Sequence, residues 1–263
     1  MPGERIGYGF VKAIDYKRMQ KSGICSDQLT KEDFMYYGRQ MLVPEIGAQG
    51  QLKLRQAKIM VVGAGGLGCP VLQYLCGAGV GKLGCVDFDR IELHNLHRQL
   101  LYDPASVGRQ KIEEAKKVLA AKRPALSLDF KNERLTAANA MSLLEGYDLV
   151  VDGSDNFKTR YIVSDTCKAL DIPVVYGSIL GFEGQIAVFG HNGGKTLRDL
   201  FSGPPSADNA PNCAENGVLG TLPGIIGLIM AQEALKLIMG LPVLHNQLVL
   251  LDTLRFECRK LNF

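Results

Sequence analysis

The stretch VVGAGGLG at residues 61–68 decides the fold of this 263-residue chain. It predicts a buried strand that runs into a glycine turn and then into a helix. Gly63, Gly65 and Gly68 follow the spacing G-x-G-x-x-G, which permits a tight turn, close approach of backbone to phosphate and close packing of helix on strand. Free N–H groups at the start of such a helix attract an anion. A tight turn alone would explain an isolated motif, but here the flanking strand and helix also favour nucleotide binding.

An acidic run, VDFD at residues 86–89, follows the glycine turn after about twenty residues, the spacing expected of a ribose-binding acid. Asp87 ends the predicted strand Leu83–Asp87. A carboxylate at this place can accept a hydrogen bond from a ribose hydroxyl. The strand, the turn, the helix and the acid together predict a nucleotide site.

Strands and helices alternate through the middle of the chain, which predicts a mostly parallel, Rossmann-like sheet with helices on both faces. Ligands bind such sheets beyond the carboxyl ends of the strands, so functional residues are expected just after Val62, Val86, Val151 and Tyr176. The predicted strands are 58–62, 83–87, 126–130, 148–152 and 173–176, and the predicted helices of this alternating part are 67–78, 108–121, 137–144 and 158–170. Before it, Thr30–Asp33 predicts a capping box that opens a short helix through Tyr37, and residues 48–56 predict a second helix.

The pattern changes after residue 180, where 184–189, 247–251 and 255–259 predict antiparallel strands added to the sheet. A long loop at about 191–217 is rich in Gly, Pro, Asn and Ser and is expected to be functional or mobile. Residues 1–29 show no period and are interpreted as an N-terminal arm, while 30–263 are expected to form a single domain.

Composition narrows the class of protein further. Hydrophobic residues make up 46% and charged residues 22%, as in an ordinary globular protein, and a net charge of +3 is too small to indicate a nucleic-acid partner. The N-terminus has no apolar core typical of a secretory signal. Seven cysteines, an odd number, indicate free thiols and a cytoplasmic location. Four of them fall in apolar patterns and are expected in the core: Cys69, Cys76, Cys85 and Cys167.

One segment, Val218–Met239, is apolar enough to raise the question of a membrane span. Its uncharged part is shorter than the ~20 residues that a span needs. We therefore expect no membrane insertion, but a helix buried in the core or in a subunit interface.

Charged and polar residues cluster near the predicted strand ends. Arg98 and Lys111 fit the role of cations against a triphosphate, and Asp155 fits the role of a Mg²⁺ ligand. Each has a simpler interpretation: Arg98 and Lys111 as solvated charges, Asn95 as a turn former and Asp155 as a helix N-cap. A dinucleotide dehydrogenase would need less charge than this set provides.

An ordered series of motifs resembles the ThiF/MoeB/HesA adenylyltransferases, bacterial relatives of the ubiquitin-activating enzymes. The resemblance covers roughly residues 33–256, and the series as a whole is far more specific than any one motif. The matching motifs are YGRQ at 37–40, VGAGGLG at 62–68, VDFD at 86–89, NLHRQ at 95–99, GRQK at 108–111, DGSDN at 152–156 and CAENGV at 213–218.

The resemblance implies a homodimer that uses ATP and Mg²⁺ to adenylate the C-terminal Gly-Gly carboxylate of a ubiquitin-like sulfur carrier, with release of pyrophosphate. The carrier would serve thiamin or molybdopterin synthesis, tRNA thiolation or another sulfur pathway. The implied catalytic and nucleotide-binding residues are Gly63, Gly65, Gly66 and Gly68 around the phosphates, Asp87 at the ribose, Asn95, Arg98, Gln99, Lys111 and Asn156 at the nucleotide, Asp155 at Mg²⁺, and Arg39 reaching the partner subunit's site.

The chain departs from many relatives in having no C-x-x-C pair, so we predict no zinc site. Cys213 matches a cysteine that some relatives use in covalent sulfur chemistry, and it is either catalytic or a tolerated thiol. No rhodanese-like domain follows residue 256, so a separate sulfur donor is expected. Two other functions stay open: a nicotinamide (NAD)-dependent oxidoreductase, based on the glycine turn and Asp87, and a non-catalytic scaffold that binds a carrier.

Overall fold

The secondary structure follows the predicted alternation closely. In the computed structural model, residues 29–123, 125–203 and 217–263 are described. The strands are β1 (Lys58–Val62), β2 (Lys82–Val86), β3 (Ser127–Lys131), β4 (Leu149–Asp152), β5 (Val174–Leu180), β6 (Glu183–Phe189), β7 (Gln247–Asp252) and β8 (Glu257–Asn262). The α-helices are α1 (Lys31–Met41), α2 (Gly47–Gln56), α3 (Gly68–Ala78), α4 (Lys111–Lys122), α5 (Ala140–Leu144), α6 (Phe157–Leu170), α7 (Leu197–Leu200) and α8 (Thr221–Met239).

The chain divides into two compact units, residues 1–52 and residues 53–263. In the first unit, Thr30 and Asp33 form a reciprocal capping box that starts α1, because the Thr30 side chain accepts from the Asp33 N–H and the Asp33 carboxylate accepts from the Thr30 N–H. The helix continues one turn beyond the predicted end at Tyr37, since Met41 joins the same buried face. That face belongs to a small core of Leu29, Phe34, Tyr37, Met41 and Ala48.

The second unit contains the sheet, with strand order β3-β2-β1-β4-β5-β6-β7-β8. The first five strands in this order are parallel, as predicted. The central strands β1, β2 and β4 are buried almost throughout, because helices cover both faces of a parallel sheet. In the register, Val62 is the partner of both Val86 and Asp152. The carboxyl ends of β1, β2 and β4 are therefore level, and the residues that follow them are neighbours.

The strands from β6 onward are antiparallel, which confirms the prediction for the C-terminal part. The last strand begins at Glu257 rather than at Arg255. The Asp252 carboxylate accepts the N–H groups of Leu254 and Arg255, and Phe256 takes a positive φ of 60°. These contacts hold residues 253–256 in a turn, so pairing starts two residues later than predicted.

Helix α8 is long and apolar enough, by length and composition alone, to cross a membrane, and half of its most apolar window is buried in the protein. Its buried residues Leu222, Ile226, Met230 and Ala234 pack in the main core. The contact with the sheet is close: a Cβ on Gly184 would lie 2.1 Å from Ile226 Cδ1. Of the two expectations for this helix, burial in the core or in a subunit interface, the structure shows burial of one face in the core.

Some predictions fall outside the described residues. These include residues 1–28 of the expected arm, Cys213, and residues 204–216 of the long loop. The described part of that loop contains a 3₁₀ turn at His191–Gly193 and the short helix α7, neither of which was predicted. The assignment of 1–29 as an arm and 30–263 as one domain stays a prediction.

Candidate functional site

The glycine turn after β1 joins three strand ends. Gly63 has a φ of 90°, and its N–H donates to Val86 O at 2.9 Å. A Cβ on Gly68 would lie 1.9 Å from Gly63 O, so no larger residue fits there without moving the turn. A Cβ on Gly63 would lie 3.1 Å from Gly153 O, at the end of β4. The turn is therefore packed directly against the loop that carries Asp155.

Helix α3 begins at Gly68 immediately after this turn, and no side chain caps its N-terminus. The N–H groups and the positive end of the helix dipole at this place suit an anion. The phosphate-binding role of Gly63, Gly65, Gly66 and Gly68 stays a prediction.

Asp87, directly after β2, is buried and accepts two backbone hydrogen bonds. The Ala64 N–H donates to Asp87 Oδ2 at 2.7 Å, and the Asp89 N–H donates to Asp87 Oδ1 at 2.8 Å. Burial raises the pKa of this carboxyl group, while Lys111 and the two N–H donors oppose that rise. Asp87 thus has a structural role in holding the turn, and each oxygen keeps a lone pair for a ribose hydroxyl.

Lys111 is at the first position of α4, and its side chain is 7% exposed. Its Nζ lies 2.8 Å from Asp89 Oδ2, and the Asp89 side chain is about half exposed. The structure therefore places the predicted cation close to the acidic run, but as a member of an ion pair. A solvated surface charge, the simpler interpretation of Lys111, does not describe this buried amine.

Arg98 and Gln99 lie next to the glycine turn. Cβ atoms on Gly66 and Gly65 would lie 3.8 Å from Arg98 Cδ and 3.7 Å from Gln99 Nε2, respectively. Arg98 Nη1 donates to His94 O at 2.8 Å. Gln99 is buried, and its Oε1 has no hydrogen-bond partner among the described residues. A buried amide with a free oxygen beside a phosphate-type turn is a candidate ligand contact.

Asn95 is buried and takes part in local structure, because its Oδ1 accepts the Glu92 N–H at 3.2 Å. This bond closes the 3₁₀ turn Leu93–Asn95 and agrees with the simpler interpretation of Asn95 as a turn former. It leaves the side-chain NH₂ as a donor for a ligand.

The loop after β4 presents Asp155 to solvent. Asp155 is exposed, and its Oδ1 accepts from Asn156 Nδ2 at 3.4 Å. The N-cap of α6 is Asn156, whose Oδ1 accepts the Thr159 N–H at 2.9 Å. The alternative that Asp155 caps this helix is therefore wrong: the amide one residue later does so, which leaves the carboxylate available.

Sequence reasoning missed Arg160, Tyr176 and Tyr102. The buried Arg160 guanidinium contacts the Asp155 loop and Tyr176 OH. The Tyr102 hydroxyl donates to Ala64 O at 2.8 Å, beneath the glycine turn. Single Arg and Tyr residues have no sequence signal for such contacts. Tyr176 was expected to end its strand, but β5 continues to Leu180 because it pairs with β6 along its whole length.

A cavity of about 300 Å³ opens beside Asp155. Its lining combines apolar side chains with a few polar groups, as in small-ligand sites. Its polar lining includes Asp155, Arg160, Tyr176 and Gln185.

Two predicted site residues lie outside the part of the second unit described above. Arg39 is exposed on α1 in the first unit, and Cys213 lies outside the described residues. Their roles stay predictions. The four cysteines expected in the core are all buried, and burial raises the pKa of the Cys69 thiol to about 12.

Comparison with known proteins identifies the family. The model of the ThiF family matches residues 37–263, and the chain belongs to this family. It is 48% identical over 238 residues to the sulfur carrier protein adenylyltransferase of Thermus thermophilus, with 88% of each chain covered. It is 45% identical over 237 residues to the adenylyltransferase and sulfurtransferase MOCS3 of Aedes aegypti, covering 90% of this chain and 54% of that protein. The chain thus spans about half the length of MOCS3.

Solved structures confirm the fold. The crystal structure of E. coli MccB with ATP has a TM-score of 0.76 at 17% identity, covering 89% of this chain and 79% of that one. The crystal structure of selenomethionine PaaA has a TM-score of 0.75 at 21% identity, covering 94% and 80%. The Rossmann-like, mostly parallel fold is therefore confirmed. The oxidoreductase and scaffold alternatives receive no support from the named relatives.

Proposed function

We propose that this protein is an ATP-dependent adenylyltransferase that activates the C-terminal Gly-Gly carboxylate of a ubiquitin-like sulfur carrier. The names of its curated relatives support this activity. The observation that carries the proposal is the grouping of Asp87, Arg98 and Gln99 around one glycine turn in a ThiF-family chain. An uncapped helix N-terminus, a cation and a free amide oxygen at one strand end suit a nucleotide.

The chemistry needs charge neutralisation more than proton transfer. A carboxylate oxygen of the carrier tail attacks the α-phosphorus of ATP, and the bond from that phosphorus to the oxygen bridging the β-phosphate breaks. Pyrophosphate leaves, and the carboxylate becomes an uncharged acyl-adenylate with a good leaving group. Fixed donors aimed at the phosphate oxygens lower the barrier because negative charge spreads over those oxygens. Arg98 and Lys111 supply that charge, and the attacking carboxylate needs no general base since it is already ionised.

The donor set at the β4 end fits Mg²⁺ that arrives with the nucleotide. Among the described residues no group of three or more His, Cys, Asp or Glu side chains could hold a metal ion by itself. Mg²⁺ is commonly bound by one or two carboxylates together with substrate phosphates and water, so one free carboxylate is sufficient. Asp155 would hold the ion, which supplies positive charge for the phosphate oxygens when bound.

The cavity beside Asp155 is the proposed seat of the carrier's last residues. It adjoins the proposed metal ligand, and its polar groups can bond to an extended peptide backbone. In this lining, Tyr176 OH accepts from Arg160 Nη1 at 2.9 Å and donates to Gln185 Oε1 at 3.5 Å. A glycine tail suits this position because it brings no side chains that would fill the cavity.

Further features of the proposal rest on the family resemblance and on the composition and motifs of the sequence. The enzyme is a cytoplasmic homodimer in which Arg39 reaches the partner subunit's site, and a separate donor supplies the sulfur. Cys213 acts after adenylation, and no zinc is bound. Neither nucleic acid nor membrane takes part.

ATP–pyrophosphate exchange tests the proposal. Purified ubiquitin-like carriers with an intact Gly-Gly terminus are compared with the same carriers shortened by two residues. We expect exchange with at least one intact carrier and none with its shortened form. Equal exchange with intact and shortened carriers would contradict adenylation of a carrier. Reduction of NAD with a small substrate, without any exchange, would also contradict it. With Cys213→Ala, we expect normal exchange and impaired sulfur transfer.

A further inference from the structure

Arg160 has an unusual environment for a guanidinium group. It lies in the first turn of α6 and is 6% exposed. Among residues 29–123, 125–203 and 217–263, no carboxylate lies within 4 Å of it to form an ion pair. A buried cation is costly unless its donors are satisfied, so the contacts that it does make must be well formed.

Those contacts are directed at the backbone that carries Asp155. Arg160 Nε and Nη2 both donate to Ser154 O, at 3.3 and 2.9 Å. This carbonyl belongs to the peptide that links Ser154 to Asp155. Two donors from one rigid guanidinium on one oxygen fix the direction of that peptide, and therefore the starting direction of the Asp155 side chain.

The same loop is held from its other side. The Ser154 N–H donates to Asp152 Oδ1 at 3.0 Å, and Asp152 is buried at the end of β4. Burial raises the pKa of Asp152, and the positive charge of Arg160 opposes that rise. Ser154 is thus fixed at both its N–H and its C=O, immediately before the exposed carboxylate.

The remaining end of the guanidinium reaches the cavity. Arg160 Nη1 donates to Tyr176 OH at 2.9 Å, and its Cζ lies 5.0 Å from the Tyr176 ring centroid. Tyr176 OH in turn donates to Gln185 Oε1 at 3.5 Å. A single side chain therefore connects the backbone before Asp155 with two polar groups in the wall of the cavity.

We propose that Arg160 is a positioning residue that orients Asp155 toward the metal–nucleotide complex through the Ser154–Asp155 peptide. The inference rests on the proposed function, because it takes Asp155 as the metal ligand. Arg160 itself touches neither nucleotide nor metal in this proposal. Its link to Tyr176 makes the direction of Asp155 sensitive to the wall of the cavity.

The test measures binding rather than turnover. The affinity of a non-hydrolysable ATP analogue is measured with and without Mn²⁺, which stands in for Mg²⁺, and Mn²⁺ binding is followed by electron paramagnetic resonance. The proteins are the wild type, Arg160→Lys, Asp155→Asn and the double variant. Lysine keeps the charge but cannot place two donors on Ser154 O and a third on Tyr176.

We expect Arg160→Lys to weaken Mn²⁺ binding by about 10- to 100-fold, as for groups that orient a metal ligand. If Arg160 acts through Asp155, the double variant binds Mn²⁺ no more weakly than Asp155→Asn alone. Losses that multiply in the double variant, or full Mn²⁺ affinity in Arg160→Lys, would overturn the positioning role.

Arg198→Lys is the matched control. Arg198 also presents two donors to one partner, Asp165 on α6, with distances of 2.6 and 2.7 Å, but at the exposed side of this helix. We expect Arg198→Lys to bind Mn²⁺ and the analogue as the wild type does. The urea-unfolding midpoint is measured for every variant, and it distinguishes a variant that is destabilised from one in which Asp155 is misoriented. If Mn²⁺ does not affect analogue binding in the wild type, the proposed function fails together with the role of Arg160. If Mn²⁺ strengthens analogue binding equally in the wild type and in Arg160→Lys, but not in Asp155→Asn, the positioning role of Arg160 fails and the proposed function stands.

Discussion

The ends of β2 and β4 are built alike and differ in one ion pair. Each has a buried aspartate whose carboxylate accepts backbone N–H groups, Asp87 in one case and Asp152 in the other. Each also has a more exposed aspartate two or three residues further on, Asp89 and Asp155. The buried member shapes the loop, and the outer member is the one that a ligand can reach.

The cations near the two ends are used differently. Lys111 bonds to the outer carboxylate of Asp89 at 2.8 Å, so that pair is close to neutral. Arg160 bonds to the backbone carbonyl before Asp155 and forms no ion pair with that carboxylate within the described residues. The β4 end therefore keeps a free negative charge for a cation that arrives with a ligand. The similar sequences VDFD and DGSD therefore differ in the charge that they leave free, because Lys111 bonds to a carboxylate and Arg160 bonds to a backbone carbonyl.

The largest effect is expected from Asp155→Ala, which removes the free negative charge at the β4 end. We expect ATP–pyrophosphate exchange to fall by roughly 10²- to 10³-fold, because the Mg²⁺ that would neutralise the developing negative charge loses its protein ligand. The urea midpoint should be unchanged, because Asp155 is exposed and its carboxylate makes one long hydrogen bond, to Asn156, within the described part of the chain. Asp165→Ala, which removes an exposed ion pair on α6, is the control and should keep full exchange. Normal exchange in Asp155→Ala would remove its assigned role.

Gly68→Ala tests whether the glycine turn holds the strand ends together. Because a Cβ there would lie 1.9 Å from Gly63 O, we expect a loss of about 3 kcal/mol in the free energy of unfolding. Nucleotide binding should weaken as the turn shifts. The control is Gly77→Ala in the same helix, where a Cβ meets nothing within 4 Å. It should stabilise by up to about 1 kcal/mol in urea unfolding. Equal effects at the two positions would contradict the close packing described for Gly68.

Lys111→Met sharpens the contrast between the two cations. It removes a buried charge near the acidic run while keeping the length of the side chain. We expect exchange to fall about tenfold, mainly through a higher KM for ATP, because the lost contact is to a charged group. The matched control is Lys117→Met on the same helix, where Lys117 is 69% exposed and pairs with Glu114. A Lys111→Met enzyme with unchanged KM for ATP would show that this ion pair serves only the fold.

The smallest expected effect is a difference in pH dependence between the fully buried Asp152 and the partly buried Asp252. The pKa of Asp152 is raised by burial, so its native state favours the protonated form and stability is lost as pH rises from the ordinary value near 4 through the raised pKa. The pKa of Asp252 is lowered, chiefly by the Arg255 N–H, so its stabilisation is present above pH 4 and is lost as pH falls through the lowered pKa.

Urea unfolding from acid to neutral pH checks these signs. The stability difference between wild type and Asp152→Asn should shrink as pH rises. The difference between wild type and Asp252→Asn should grow over the same change and then stay constant. The same sign for both variants would contradict the contrast between the two environments.

Local chemistry made much of the fold predictable. The Thr30–Asp33 capping box and the glycine turn depend on residues three to five positions apart, and both are present as expected. The start of α6 was harder to assign, because Asp155 and Asn156 are both good N-caps. Only the backbone conformation selects Asn156. The candidate site was predictable to the level of strand ends, since the carboxyl ends of parallel strands share one edge of a sheet.

The sequence by itself determined the alternation of strands and helices, the glycine turn and the residue types that follow each strand, because short-range sterics and the apolar pattern decide these features. Only the tertiary structure decided that Lys111 pairs with Asp89, 22 residues away, and that Arg160 bonds to Ser154 O and Tyr176. Such contacts depend on how helices pack on the sheet. The rotamer of a long side chain is set by that packing and not by its neighbours in the chain.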